Sequence, residues 1–237
     1  MNNAYTLRTV AELVTEQPAR AAVFEKWRID YCCGGKRLLA DVCGLKGIDL
    51  VQVAQDLSAC DEKAPLEEKD WAKESLTDLC DHIEGVHHAY LREALPRLSM
   101  LTQKVAKRHG DSDARLVDLA QVFASFHEEL SSHMMKEEKV LFPMVRAMEA
   151  GRSGASAHCG GVQNPIRVMV AEHDDAGEAL EEMSRLTDGF VIPPAACNSY
   201  RAMLFTLAEL EKDLHIHIHK ENHILFPRAA ELEAQLG

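Results

Sequence analysis

A histidine and a glutamate four residues apart, followed by Leu-Phe-Pro, occur twice in this sequence of 237 residues. The first copy runs from His133 to Pro143 and the second from His217 to Pro227, in the same register. Residues four apart lie on the same side of an α-helix. In both copies that side is apolar, so the imidazole and the carboxylate are expected to point into a core. Because burying such groups without a partner is costly, the pattern predicts a metal ion beside them.

Two further histidines complete the pattern, since His88 and His173 lie almost the same distance before the two motifs. Along the chain, a single histidine is followed by a His-x-x-x-Glu motif, and this order then repeats. Each of the four elements is predicted to lie on its own helix. Six ligands are too many for one tetrahedral zinc ion. They suit two ions bridged by both carboxylates, with one open position per ion for a small molecule. The predicted ligands are His88, His133, Glu137, His173, His217 and Glu221.

The mixture of imidazole and carboxylate donors favours iron, with manganese as the weaker candidate. We therefore expect two iron ions per chain, bridged by Glu137, Glu221 and an oxo or hydroxo group. Such a histidine-rich set is expected to suit reversible chemistry with diatomic gases more than strong oxidation. The alternative, polar core groups that bind no metal, is disfavoured because six such residues recur in a repeated pattern.

The other histidines carry no comparable motif. His215, His219 and His223 surround His217, and we expect them on a solvated helix surface, where isolated histidine pairs are common. His87 adjoins His88 but points a quarter-turn or more away from it on a helix. The sequence contains no His-Glu-x-x-His protease motif, P-loop or dinucleotide-binding fingerprint.

Four long helical patterns position the predicted ligands, at roughly 75–108, 113–150, 164–187 and 196–234. Glycine- or proline-containing segments separate them. Short connections between antiparallel helices favour an up-down-up-down four-helix bundle. An apolar content of 46% with only 5% aromatic residues supports an all-α fold. The repeated motif predicts a pseudo-twofold relation between the two halves of this bundle.

A small helical domain is predicted before the bundle, at residues 1–60. Its short helices are expected at 9–17, 19–29, 36–43 and 50–57. The turn between the second and third contains Tyr31-Cys32-Cys33-Gly34-Gly35. Adjacent thiols beside glycines are expected to be accessible, which makes Cys32 and Cys33 candidates for redox or transfer chemistry. The charged, proline-containing stretch 61–74 is expected to be a linker, and 75–237 the bundle.

Composition narrows the class of protein. The formal net charge of −12 argues against binding to nucleic acid or to an anionic membrane surface. The sequence has no apolar run that could span a bilayer and no signal-peptide pattern at its start. Its seven cysteines lack the spacing of a disulfide framework, so reduced thiols are expected. We therefore expect a cytoplasmic protein.

Together these motifs resemble the di-iron repair-of-iron-centres proteins, the YtfE/ScdA-like group, whose bundle domain is hemerythrin-like. The resemblance covers nearly the whole chain. It is carried by residues 30–36, by 127–138 with Leu141-Phe142-Pro143, by 172–178, and by Glu221-Asn222 with Leu225-Phe226-Pro227. It implies a non-haem di-iron protein that repairs iron–sulfur clusters damaged by nitrosative or oxidative stress, by donating iron, binding nitric oxide or both. By position it implies the same six iron ligands. The glycine-rich stretch 151–161, with His158 and Cys159, departs from the family pattern.

Other functions remain compatible with the same residues. A nitric oxide reductase that produces nitrous oxide requires protons, and Glu129 and Glu172 are candidates to relay them. A hemerythrin-like module that binds or senses a gas, and a structural zinc site, are the further alternatives. The expected partners are nitric oxide or another diatomic gas, iron–sulfur proteins as repair targets and an unknown electron donor. A homodimer is left open.

Overall fold

The computed structural model describes residues 5–63, 69–152 and 161–236. Helices dominate these residues, and the single element of β-structure among them is an isolated antiparallel bridge between Thr9 and Leu38. The predicted all-α class is therefore confirmed. Part of the predicted linker, at 64–68, lies outside the described residues, as do His158 and Cys159.

Four short helices form the N-terminal part: α1 (Val10–Glu16), α2 (Ala21–Lys26), α3 (Leu39–Lys46) and α4 (Leu50–Asp61). Thr9 begins α1 with a capping box, in which its hydroxyl accepts from Glu12 N–H and the Glu12 carboxylate accepts from Thr9 N–H. The prediction of a helix at 36–43 was wrong in its bounds. Residues 37–39 pair with the backbone of 8–10 instead, and α3 then continues to Gly47, whose left-handed φ of 66° ends it.

An ion pair joins the turn before α2 to the end of α4. Arg20, in the 3₁₀ turn before α2, donates two hydrogen bonds of 2.8 Å to the carboxylate of Asp61 at the end of α4. The Tyr5 hydroxyl donates a third bond, of 2.7 Å, to the same carboxylate. These bonds, chiefly those from Arg20, hold the pKa of Asp61 below its ordinary value.

We predict that Asp61→Asn lowers the free energy of unfolding at pH 7 by about 1–2 kcal/mol, the scale of a charged hydrogen bond. A carboxylate with a lowered pKa stabilises the fold above its unfolded value, near 4, and loses this contribution as pH falls through the folded value. The difference between the two proteins should therefore shrink below about pH 4. Urea unfolding at several pH values measures it. Glu62→Gln, on the exposed neighbour, is the control, and an undiminished difference at low pH would contradict the prediction.

Four long helices form the bundle, close to the predicted ranges. The first comprises α5 (Leu76–His82), a π-helical turn (Ile83–His88) and α6 (Ala89–His109). The second comprises α7 (Arg115–Lys136), a π turn (Glu137–Leu141) and α8 (Phe142–Glu149). The third is α9 (Gln163–Leu186), and the fourth comprises α10 (Asn198–Lys220), a π turn (Glu221–Leu225) and α11 (Phe226–Leu236).

The π turns were not predicted, although each contains or directly follows predicted ligands. In the two repeated motifs the amide of the phenylalanine bonds to the carbonyl of the motif glutamate five residues earlier. The prolines that follow, Pro143 and Pro227, lack an N–H and so remove one ordinary helical bond at this point. The repeated Leu-Phe-Pro is therefore the sequence signal for a widened helical turn, a feature often found at functional sites.

Two apolar clusters fill the bundle on either side of its ligand residues. The larger contains Leu91, Phe123, Leu130 and Leu214, and the smaller contains Leu79, Phe142, Val145, Leu225 and Phe226. The predicted ligands therefore occupy a polar layer between two apolar ones. Among the described helices, none combines the length and apolar character needed to traverse a lipid bilayer.

Candidate metal centre

The polar layer brings all six predicted ligand residues together. Each is at most 3% exposed to solvent. Their ligand atoms form two overlapping groups of four, and within each group all atoms lie within 4.8 Å of one another. The first group is His88, Glu137, His217 and Glu221, and the second is His133, Glu137, His173 and Glu221. Both carboxylates belong to both groups, which is the arrangement that two bridged ions require.

Each carboxylate lies between two imidazoles and gives one oxygen to each. The nitrogen involved is Nε2 in all four histidines. The four Nε2–carboxylate distances are 3.3 Å for His88–Glu137, 3.4 Å for His133–Glu137, 3.2 Å for His173–Glu221 and 3.0 Å for His217–Glu221. Four inward-facing imidazole nitrogens thus surround two carboxylates.

Several of these buried atoms have no hydrogen-bond partner among the described residues. They include both oxygens of Glu137, Oε2 of Glu221 and Nε2 of His88. Leaving a buried carboxylate oxygen unpaired is costly, and a cation between the facing groups removes that cost. The residues present therefore fit a pair of metal ions. Their nitrogen and oxygen donors suit iron.

The charges of the polar layer also fit a pair of metal ions. Burial opposes a charge on His133, but Glu137, Glu221 and Glu172 outweigh it and raise the pKa of His133 to about 9. Burial would likewise raise the pKa of Glu221, yet its contacts with His217 and His173 leave that pKa well below its ordinary value. A proton on His133 thus offsets part of the negative charge when no metal is bound, and metal binding should release it.

The outer nitrogens of three ligands are held by hydrogen bonds. His88 Nδ1 lies 2.7 Å from Glu138, His133 Nδ1 2.9 Å from Glu172, and His173 Nδ1 2.9 Å from Asn222. Such bonds set which nitrogen carries the proton and orient the ring for a metal. Glu138 and Asn222 each follow a motif glutamate, so these contacts obey the pseudo-twofold pattern. Their role was missed from the sequence, and this repeated position was the available signal.

We predict that Glu138→Gln and Glu172→Gln each weaken iron binding by about 10- to 100-fold, because the carboxylate behind a histidine ligand strengthens its donation. Competition with a coloured chelator measures the affinity. Glu128→Gln, on the exposed face of α7, is the matched control and should bind iron as the wild type does. Unchanged affinity in both variants would show that these carboxylates do not support ligands.

A cavity of about 300 Å³ reaches the polar layer from between α7 and α9. Its inner end is lined by buried His133, His173 and His217, and its outer end by the exposed residues Glu129 and Asp175. Phe126, Leu130 and Ile218 make part of its wall apolar. The volume is enough for small molecules.

The two proton-relay candidates have different positions along this cavity. Glu172 bonds to His133 and forms an ion pair with Lys136. Burial acts to raise the pKa of Glu172, but these two partners outweigh it and lower that pKa. Glu129 lines the cavity and is exposed. Of the two, only Glu172 touches a predicted ligand within the described residues.

The cysteine turn lies against the bundle. Cys32 is only 3% exposed and belongs to the larger bundle cluster, so the expectation of an accessible thiol is wrong for this residue. Contact with Cys33 and burial raise the pKa of Cys32 well above the ordinary thiol value. Cys33 is partly exposed; its sulfur lies 3.7 Å from that of Cys32 and 3.5 Å from the carbonyl oxygen of His173. The thiol pair is therefore adjacent to the backbone of a predicted ligand.

The expectation of solvated surface for the histidines around His217 is also wrong. His219 is 3% exposed, and its two ring nitrogens contact Thr15 and the carbonyl of Tyr31. His223 contacts the carbonyl of Cys32 at 2.7 Å, and His215 packs edge-on against the Tyr31 ring. The N-terminal part covers this face, which helix periodicity alone could not reveal.

His87 is buried as well, although it points away from its neighbour His88. Its Nδ1 lies 2.9 Å from Asp213 and its Nε2 2.9 Å from Lys220. Its ring stacks on that of His217 at 5.2 Å with an interplanar angle of 5°. His87 therefore packs behind a predicted ligand and is in neither group of four.

Comparison with known proteins adds independent evidence. The model of the Hemerythrin HHE cation binding domain matches residues 85–229, and that of a domain of unknown function matches residues 6–61. The iron-sulfur cluster repair protein YtfE of Escherichia coli O157:H7 is 41% identical over 226 residues, covering 95% of this chain and 98% of the relative. Proteins of the same name from Shigella boydii serotype 4 (strain Sb227) and Escherichia coli (strain K12 / DH10B) are each 40% identical over the same lengths.

Proposed function

Because the chain belongs to the family of the iron–sulfur cluster repair protein YtfE and contains a hemerythrin HHE cation binding domain, we propose that it repairs iron–sulfur clusters damaged by nitrosative or oxidative stress. Repair proceeds by iron donation, nitric oxide binding or both. The observation that carries the proposal is the pair of overlapping four-residue groups that share Glu137 and Glu221. The proposed cofactor is two iron ions per chain, and the proposed ligands are His88, His133, Glu137, His173, His217 and Glu221.

The proposed division of the chain follows the same evidence. We assign residues 1–60 to the small N-terminal domain, 61–74 to the linker and 75–237 to the bundle. The two family-model matches, at 6–61 and 85–229, support this assignment. The N-terminal domain presents the thiols, and the bundle holds the metal.

The protein's own residues prepare the site for a small molecule. Bound iron supplies open coordination positions for a diatomic gas, exchangeable electrons and an ion that can be released to a damaged cluster. The cavity gives nitric oxide a route past Phe126 and Leu130 to the inward imidazoles, and these apolar side chains limit water. Glu172 holds the proton of His133 at Nδ1, which leaves Nε2 free to face the metal.

The thiol pair is proposed to act in transfer. Thiolates bind iron well, and Cys33 lies next to the His173 carbonyl, beside the metal layer. Cys32 is deeply buried, so Cys33 is the thiol that a partner protein reaches first. The proposed partners are iron–sulfur proteins in need of repair.

A second candidate function is nitric oxide reduction, favoured by ionisable groups along the cavity. Two nitric oxide molecules, two electrons and two protons give one nitrous oxide and one water. Glu129 and Glu172 line the cavity and are placed to pass protons inward. A reduced metal pair held by the six proposed ligands would supply the electrons, and repeated turnover would require an external one-electron donor.

The test combines two measurements on the reduced, iron-loaded protein. A [4Fe–4S] protein damaged by nitric oxide is incubated with it anaerobically, and recovery of the cluster absorption is followed. Recovery above that given by an equal amount of free ferrous iron supports repair, and its absence overturns it. In parallel the protein is titrated with nitric oxide and the headspace gas is analysed. Nitrous oxide over many turnovers supports the reductase, whereas stoichiometric uptake without nitrous oxide contradicts it.

A further inference from the structure

The cysteine turn occupies a gap in the bundle. The backbones of α6 and α7, α7 and α9, and α10 and α6 approach one another closely, whereas α9 and α10 make few such approaches. Cys32 packs in the bundle core, and Ala176 of α9 packs against the same cluster. Gly177 of α9 faces the turn, since a Cβ atom there would lie in ordinary contact with the Cys33 sulfur, at 3.5 Å. The turn therefore completes the side of the bundle next to His173.

One side chain connects this turn to a predicted metal ligand. Asn222 lies in the π turn of the fourth bundle helix, directly after Glu221. Its Oδ1 lies 2.9 Å from His173 Nδ1, and its Nδ2 donates a hydrogen bond of 3.3 Å to the carbonyl of Cys32. The same carbonyl is 2.7 Å from His223 Nε2. A single carboxamide thus contacts both the outer nitrogen of a ligand and the backbone of the thiol pair.

Within the described part of the chain, the first half of the bundle lacks this connection. Glu138 occupies the equivalent position after the motif glutamate and contacts His88 Nδ1 at 2.7 Å. Its other partner is Arg92, which stands four residues after His88 just as Gly177 stands four residues after His173. Arg92 thus has the sequence position in the first half that Gly177, which faces the cysteine turn, has in the second. The two halves differ in what they attach to the outer nitrogen of the ligand.

We infer that Asn222 is a positioning residue that couples the Cys32–Cys33 turn to His173, so that metal binding and docking of the turn favour one another. The inference rests on the proposed function insofar as His173 is a metal ligand. It deepens that function, because the thiols proposed to transfer iron are docked most firmly when iron is present. By linkage, docking of the turn strengthens metal binding by the same factor.

The coupling follows from the position of one proton. A metal at His173 Nε2 leaves the ring proton on Nδ1, where it donates to Asn222 Oδ1. This orients the carboxamide so that Nδ2 faces the Cys32 carbonyl. Coordination at Nε2 also fixes the ring and makes its Nδ1–H a stronger donor to Asn222, so the carboxamide is held in this orientation more firmly with metal than without it.

The test measures how fast Cys33 in the full-length protein reacts with iodoacetamide under anaerobic conditions. Peptide mass spectrometry separates its alkylation from that of the other cysteines. Saturation with ferrous iron is expected to slow alkylation of wild-type Cys33 about fivefold, the ratio that corresponds to one net hydrogen bond. In Asn222→Asp the acceptor for His173 remains, but the side chain at position 222 no longer donates to the Cys32 carbonyl. This variant should bind iron and show rapid alkylation that iron does not change.

The matched control is Glu128→Gln, an exposed glutamate of α7 that belongs to neither group of four. At saturating iron it should protect Cys33 as the wild type does. If iron still protects Cys33 in Asn222→Asp, the inference is overturned. It is also overturned if wild-type Cys33 is alkylated at the same rate with and without iron, and this second comparison does not depend on the folding of any variant. Iron content, measured on the same samples, separates the two proposals. A wild type that binds no iron refutes both, whereas one that binds iron and repairs clusters without protecting Cys33 refutes only the coupling.

Discussion

Alanine at either shared carboxylate is expected to remove nearly all bound iron. Glu137 and Glu221 belong to both groups of four, so each substitution takes one ligand from each of the two proposed ions. Loss of a residue that only supports a ligand weakens metal binding by about 10- to 100-fold. Loss of a shared ligand should exceed that range. Iron content after reconstitution with ferrous iron and gel filtration in the presence of a chelator measures the effect.

The control for this experiment is Glu128→Ala, an exposed glutamate on the helix that also carries His133. It should retain the iron content of the wild type. If Glu137→Ala or Glu221→Ala retained it too, the carboxylates would not bridge a metal pair. The repair activity of both variants should fall together with their iron content, because the proposed function requires the loaded site.

The second large effect is expected on stability, from Phe142→Ala. Phe142 is fully buried, and its ring stacks on that of His88 at 5.8 Å with an interplanar angle of 16°. Truncating a buried phenylalanine leaves a cavity and costs about 3–5 kcal/mol of unfolding free energy. Metal binding is expected to weaken as well, because the His88 ring loses the aromatic surface against which it packs. Urea unfolding of the metal-free protein measures the stability change without any contribution from iron.

Two other phenylalanines provide the comparison. Phe226 occupies the equivalent position in the second motif and stacks on His173 at 5.8 Å with an interplanar angle of 5°, so Phe226→Ala should have a similar effect. Phe205 is 64% exposed, and Phe205→Ala should change stability by less than about 0.5 kcal/mol. A loss of less than about 1 kcal/mol in Phe142→Ala would mean that the motif phenylalanines are not structural supports of the metal layer.

Much of this protein could be predicted from periodicity. The four long helices were found close to their final bounds because each has an apolar stripe with a helical repeat and ends near glycine or proline. The gathering of the six ligand residues was also predictable. A His and a Glu four residues apart on the apolar face of a helix both point toward the core. Repetition of the motif predicted the pseudo-twofold relation between the two halves of the bundle.

The features that were missed depend on contacts between distant segments. His219 and His223 form an ordinary surface pattern on their own helix, yet they are covered because the turn at Tyr31 and Cys32 docks there. Cys32 and Asn222 are 190 residues apart in the sequence, so no local pattern relates them. The π turns were missed for a different reason, since their sequence signal, a proline after Leu-Phe, is normally taken for the end of a helix.

Sequence alone determined the class of fold, the identity of the candidate ligands and the kind of metal they suit, because helical spacing and donor chemistry are local properties. Tertiary structure alone decided which imidazole nitrogens face inward, which side chains hold their outer nitrogens and where the thiol pair lies. The physical reason is that a hydrogen bond requires two groups within about 3 Å. Only the packing of helices and of the N-terminal turn brings such distant groups that close.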